Sequence, residues 1–163
     1  MAGASTPAIR TLSSARVDHR VHAYEHDARR DSYGAEAVDA LGAQLGVEAA
    51  QIFKTLVIEL STGKLAVAVV PVPNTLSLKA AAAALGAPKA VMAARSAAER
   101  STGYVLGGIS PLGQRKPLPT VVDASALTWD RVLCSAGKRG LEIEVAPADL
   151  IRLTAAVTAP ITA

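Results

Sequence analysis

Two apolar, β-rich runs, Ile52 to Leu60 and Lys64 to Val70, are separated only by Ser61-Thr62-Gly63. A connection this short, ending in glycine, makes the runs a hairpin and therefore an antiparallel pair. A second hairpin is expected where Arg131 to Ser135 and Leu141 to Val145 flank Gly137-Lys138-Arg139-Gly140. Paired hairpins favour a mixed or largely antiparallel sheet over a doubly wound parallel one. Further strands are expected at Arg20 to Glu25, where the pattern alternates, and at Val121 to Asp123.

The helices punctuate themselves. Thr6 suits a cap and Pro7 a first helical turn, predicting a helix to about Ala15. Between Ala35 and Leu45, apolar Ala37, Val38, Leu41 and Leu45 recur at helical spacing, and Gly46 ends the run. An alanine-rich helix over Leu78 to Leu85 stops at Gly86 and Pro88, and Pro147 opens a last helix to about Thr154. His26 to Tyr33 reads as a polar turn, and the first six residues as a loose end. With no internal repeat or low-complexity linker, residues 1–163 are expected to form a single α/β domain. A domain of this length buries roughly 70% of its unfolded surface.

Composition limits the functions available. Aromatic residues make up 3% of the chain, too few for the stacking platforms of an extended single-strand binder. Seventeen basic against 14 acidic residues give a net charge of +3, which permits contact with a polyanion without demanding it. A single cysteine, Cys134, excludes an internal disulfide. No apolar run reaches the roughly 20 residues of a membrane span, since Pro71 and Pro73 interrupt the best one. The first residues also lack the basic-then-apolar order of a signal peptide. A cytoplasmic protein without membrane contact is expected.

Familiar catalytic signatures are missing: no nucleophile elbow, no phosphate-binding loop, no dinucleotide fingerprint. His19, His22 and His26 fall short of the convergent ligands that zinc needs, so no metal and no other cofactor is expected. Cys134 sits among Val132, Leu133 and Ala136 and reads as a core residue. Lys54 is more informative, because it shares a strand face with Ile52, Leu56, Ile58 and Leu60. Burying an unpartnered ammonium is costly, so the strand end opens into a pocket or the lysine snorkels to solvent. Between Gly103 and Pro119 lie four glycines and three prolines, a long loop of the kind that is more often functional than spacer. Its paired Gly107 and Gly108 can bring main chain close to a ligand oxygen, although taken alone a structural turn is the better explanation. Lys138 and Arg139 offer two cations on a tight loop.

Together these segments resemble the YbaK family of freestanding aminoacyl-tRNA deacylases, related to the editing insertion of bacterial prolyl-tRNA synthetases. The likeness spans nearly the whole chain. It is carried by His22-Ala23-Tyr24-Glu25-His26-Asp27, by Phe53-Lys54-Thr55-Leu56, by Ser101 to Gly113, and by Gly137 to Glu144. The resemblance implies a compact α/β fold around a mixed, barrel-like sheet. It implies a mischarged tRNA as partner, bound by its 3′ aminoacyl end, with Cys-tRNA(Pro) as the favoured substrate and prolyl-tRNA synthetase as a further partner. By similarity Lys54 takes the place of the family's essential lysine, with Gly107 and Gly108 as its catalytic companions in the Gly-x-x-x-Pro loop that continues through Ser110 to Pro111. Tyr24, Tyr33, Thr55 and Ser135 fall at pocket positions, and Lys138 and Arg139 at substrate-binding ones. Glu142 stands where close relatives carry Asp, and Tyr33 where some carry Phe. In the cysteine-specific branch the substrate's own thiol attacks the ester, a lyase-type reaction; attack by water would make the enzyme a hydrolase. The alternatives are a deacylase of another mischarged tRNA, such as Ala-tRNA(Pro), and a catalytically silent aminoacyl-tRNA or nucleotide binding module.

Overall fold

The computed structural model describes residues 5–27, 29 and 32–163. Parts of the expected N-terminal end and of the expected turn at His26 to Tyr33 therefore lie outside the described residues. The hairpin that constrains the fold is present: β2 (Phe53–Leu60) pairs antiparallel with β3 (Leu65–Pro71) from Phe53–Pro71 to Glu59–Leu65. Around it, β4 (Ala90–Met92), β5 (Thr120–Asp123) and β8 (Val157–Ala159) complete a mixed five-stranded sheet in the order β4-β2-β3-β5-β8. The β3–β5 and β5–β8 pairs are parallel. The second expected hairpin, β6 (Val132–Lys138) with β7 (Leu141–Val145), joins β1 (His19–Ala23) in a three-stranded antiparallel sheet, β1-β7-β6.

The barrel-like sheet implied by the resemblance is realised as these two sheets, linked by a parallel bridge between Ile52 and Leu133. A bulge between Ser135 and Lys138 bends the end of β6, as an extra residue in one strand of a pair does. The opening between the sheets at the start of β2 is where the site lies.

Helix α1 (Pro7–Ser14) begins as its sequence dictates, with the Thr6 hydroxyl accepting from the Ile9 N–H at 3.1 Å. Thr6 is not loose: it is buried and its hydroxyl donates to the Ala136 carbonyl. α2 (Tyr33–Leu45) starts two residues earlier than the apolar spacing suggests and ends at Gly46. α3 (Leu78–Ala84) and α5 (Pro147–Thr154) match expectation. The sequence reading missed α4 (Arg95–Thr102), β4 and β8. Helix α4 buries only Ala98 and Thr102, so it has no apolar stripe to betray it, and the two strands are three residues long. The segment 103–119 is without regular structure, as its glycines and prolines demand. Within it Gly113 has φ +67°, and a Cβ there would lie 2.5 Å from the Pro7 carbonyl carbon. Only glycine lets the loop pass over the start of α1. Among the described residues no helix is long and apolar enough to cross a membrane.

Candidate active site

The first residues of β2 line a cavity of about 260 Å³ at the junction of the two sheets. Its walls are Phe53, Lys54, Thr55 and Leu56 of β2, Tyr24 just after β1, Tyr33 and Ala37 of α2, and Val72 just after β3. The loop contributes Leu106, Gly107 and Ile109, and the three-stranded sheet contributes Ser135 and Glu142. Ser135 and Glu142 are directly opposed in the β6–β7 ladder, so their side chains share the face turned towards the cavity.

Lys54 lines this cavity, which favours the pocket reading of its apolar face over simple snorkelling. Its Nζ donates to the Val72 carbonyl at 3.3 Å, and burial holds its pKa below the ordinary lysine value. Lys54 and Val72 also border a second cavity of about 350 Å³, walled by the start of α2 and by Ala49 and Pro73. The ammonium therefore stands between two hollows. Beside it the buried Thr55 hydroxyl has no hydrogen-bond partner among the described residues. Such an orphan is costly unless something else satisfies it.

On the facing wall Glu142 is 6% exposed, and burial pushes its pKa up to about 8. Burial, reinforced by the Glu142 charge, also raises the Tyr24 phenol to about 12. The Glu142 shift has a signed consequence for stability. The unfolded chain releases this proton near 4.5 and the folded chain near 8, so between those values the native state binds more protons. Stability then falls as pH rises, by at most about 1.4 kcal/mol per pH unit from this group. In Glu142→Gln that component is expected to vanish, giving denaturation midpoints less sensitive to pH across this window; an unchanged pH dependence would show that Glu142 ionises normally.

The glycine loop approaches the cavity closely. Gly107 has φ +88°, and a Cβ there would lie 2.5 Å from the Tyr33 ring. The other contacts of Tyr33 include the Arg139 guanidinium, 4.3 Å from its ring centroid. Arg139 in turn donates twice to the Leu106 carbonyl, from Nε at 2.9 Å and from a terminal nitrogen at 2.6 Å. Gly108 is committed differently, its N–H donating to the Val105 carbonyl at 2.9 Å.

The expected site residues thus divide. Lys54, Gly107, Tyr24, Tyr33, Thr55, Ser135 and Glu142 converge on the cavity. Arg139 reaches it through Tyr33 and Leu106. Gly108, Ser110, Pro111 and Lys138 do not line it: Ser110 is fully buried and accepts from the Leu112 N–H, Pro111 faces a separate depression, and Lys138 is exposed. The sequence reading missed the apolar walls Phe53, Val72, Leu106 and Ile109. It also missed buried Glu36, which binds His26 Nδ1 at 2.7 Å and accepts from the Asp27 N–H at 2.8 Å. An acid in the first turn of a predicted helix was the available signal. The remaining histidines are occupied too, His22 with Glu144 and His19 with the Val17 carbonyl.

Cys134 is fully buried on the opposite face of β6, and burial pushes its thiol well above the usual range. A thiol so held is a poor nucleophile. Cys134→Ala is expected to keep activity within about twofold at a stability cost of about 1 kcal/mol, read from initial rates and a denaturant melt.

A model of the aminoacyl-tRNA editing domain matches residues 33–153, a span that contains most of the cavity wall. The EbsC protein of Enterococcus faecalis, proposed by its name to be a Cys-tRNA(Pro)/Cys-tRNA(Cys) deacylase, is 39% identical over 158 residues, covering 96% of this chain and 93% of that relative. Among solved structures, one described as a trans-editing enzyme proposed for prolyl-tRNA synthetase is 25% identical with a TM-score of 0.79, covering 98% of this chain and 99% of that one. A hypothetical protein of known structure is likewise 25% identical, with a TM-score of 0.83 over 97% of this chain and all of the other. The family model alone matches well over half of the sequence, and the chain belongs to the aminoacyl-tRNA editing domain family.

Proposed function

We propose that this protein is a trans-editing deacylase that cleaves the aminoacyl ester of mischarged tRNA, with Cys-tRNA(Pro) as its preferred substrate. The observation that carries the reading is Lys54, an ammonium set between two cavities beside an unsatisfied Thr55 hydroxyl, with Gly107 lining the same cavity. In this reading the aminoacyl group enters the smaller cavity and the terminal nucleoside lies on the other side of Lys54. The ester is then at the lysine, which positions the ribose or polarises the carbonyl. Gly107 holds the reacting carbonyl by its main chain, with Gly108, Ser110 and Pro111 shaping the loop behind it. Glu142, whose carboxyl keeps its proton near neutral pH, hydrogen-bonds the substrate's amino group, with Tyr24, Thr55 and Ser135 completing the pocket. Lys138, exposed at the neighbouring turn, meets the phosphates of the acceptor end.

An aminoacyl ester is already activated, so orientation and a polarised carbonyl suffice without a protein nucleophile. The substrate thiol attacks the ester carbonyl; a C–S bond forms as the C–O bond to ribose breaks. The thiol proton passes to the departing ribose oxygen, leaving a cyclic thiolactone and free tRNA. Selection of the proline tRNA falls to the acceptor stem or to prolyl-tRNA synthetase bound alongside.

The test is a panel of tRNAs charged with Cys, Ala, Ser or Pro, followed for ester loss, with the released amino-acid product identified. Rapid loss from the cysteine ester with thiolactone release is expected, and slow loss from the serine ester, which offers oxygen for sulfur. Free cysteine as the first product would assign the attack to water. Cleavage of the alanine but not the cysteine ester would move the protein to another specificity, and no cleavage of any ester would overturn the reading.

A further inference from the structure

The main chain at the cavity mouth is gripped from two sides. The Leu106 N–H donates to a Glu99 carboxylate oxygen at 2.7 Å, and the Leu106 carbonyl accepts both Arg139 hydrogen bonds. The same guanidinium covers the face of Tyr33, and the edge of Tyr33 closes on Gly107 so tightly that no Cβ fits between them. One cation therefore ties together the aromatic ring from α2 and the glycine loop, two sides of the cavity wall. A planar guanidinium can stack on a ring while donating in its own plane; a lysine ammonium cannot do both.

We infer that Arg139 is a positioning residue that sets the width of the cavity mouth, and so the size of the amino acid admitted, by holding Tyr33 against Leu106 and Gly107. This deepens the deacylase reading and rests on it. Arg139 need not touch the substrate. Its role is distinct from phosphate binding, which would depend on charge and salt rather than on the shape of the guanidinium.

Two measurements test this together. The first is amide exchange at Leu106 and Gly108. The second is binding of stable 3′-amide analogues of aminoacyl-adenosine carrying alanine or leucine, at low and high salt. Both are made on the unmodified protein, Arg139→Lys, Tyr33→Ala and the double variant. Arg139→Lys, which keeps the charge and guards against loss of folding, is expected to speed exchange at both amides roughly tenfold and to lower the alanine-over-leucine preference by a similar factor. Tyr33→Ala should lower that preference comparably, and the double variant should add little, because both changes break one unit. Unchanged exchange in Arg139→Lys, or loosened exchange with the preference intact, would overturn the inference. An Arg139→Ala variant that alters only the salt dependence of tRNA binding would also overturn it, placing the guanidinium on phosphate. If the unmodified protein binds neither analogue, there is no size preference for Arg139 to set and the inference falls, while the deacylase reading still stands or falls on the ester panel. Binding of both analogues without any ester cleavage would remove catalysis alone and leave the role of Arg139 to the exchange and preference data.

Discussion

Replacing Lys54 by alanine is expected to lower kcat/KM for Cys-tRNA(Pro) by at least about 100-fold, the scale on which loss of one positioned donor acts on a developing oxyanion. The size follows from placement. The ammonium is held by the Val72 carbonyl at the border of a largely apolar cavity, where its charge is screened less than in water. Folding should hardly suffer, because the variant removes a charge that burial already disfavours. The loss should therefore appear in rate at an unchanged melting temperature. Lys54→Arg is expected to recover only part of it, since a broad, planar guanidinium cannot replace a compact ammonium between two hollows. Full activity in Lys54→Ala would leave the family membership untouched but dislodge the proposed centre.

Gly107→Ala should be nearly as damaging, for a different reason. At φ +88° a non-glycine residue carries backbone strain, and left-handed backbone costs an L-residue about 1–2 kcal/mol. The new methyl would also meet the Tyr33 ring, so the loop or the ring must move. A displacement of about 1 Å in a positioned group can cost 100-fold in rate. Loss of activity by that factor is expected, with a modest drop in melting temperature. Combining Gly107→Ala with Tyr33→Ala relieves the collision but not the strain, so part of the rate should return. A Gly107→Ala variant with unimpaired kcat/KM would mean that the loop backbone takes no part in the reaction.

These two residues also show what could be read from the chain itself. The β2–β3 hairpin was legible because β3 is uniformly apolar, β2 is mostly so, and the turn between them is short. Lys54 was visible as a conflict, a cation on an apolar face, but its outcome depended on whether neighbouring elements left a space there. That space is made by Val72, Ile109 and Ala37, which come from three distant stretches and carry no local mark of a site. Glu142 was noticed only as a departure from a pattern. Its importance as a buried carboxyl comes from the tertiary packing that desolvates it. Arg139 was legible as a cation on a tight turn, and nothing in its neighbours pointed to Tyr33, more than 100 positions earlier in the chain. Helix α4 escaped because helices without an apolar stripe cannot be told from polar loops by periodicity.

The most direct measurement is multiple-turnover ester loss from Cys-tRNA(Pro) with the purified protein at substoichiometric concentration. Many esters cleaved per protein molecule, well above the buffer rate and abolished by Lys54→Ala, is the expected result. Binding of the charged tRNA with its ester persisting at the buffer rate would contradict it and make the domain a carrier of aminoacyl-tRNA instead of an editor.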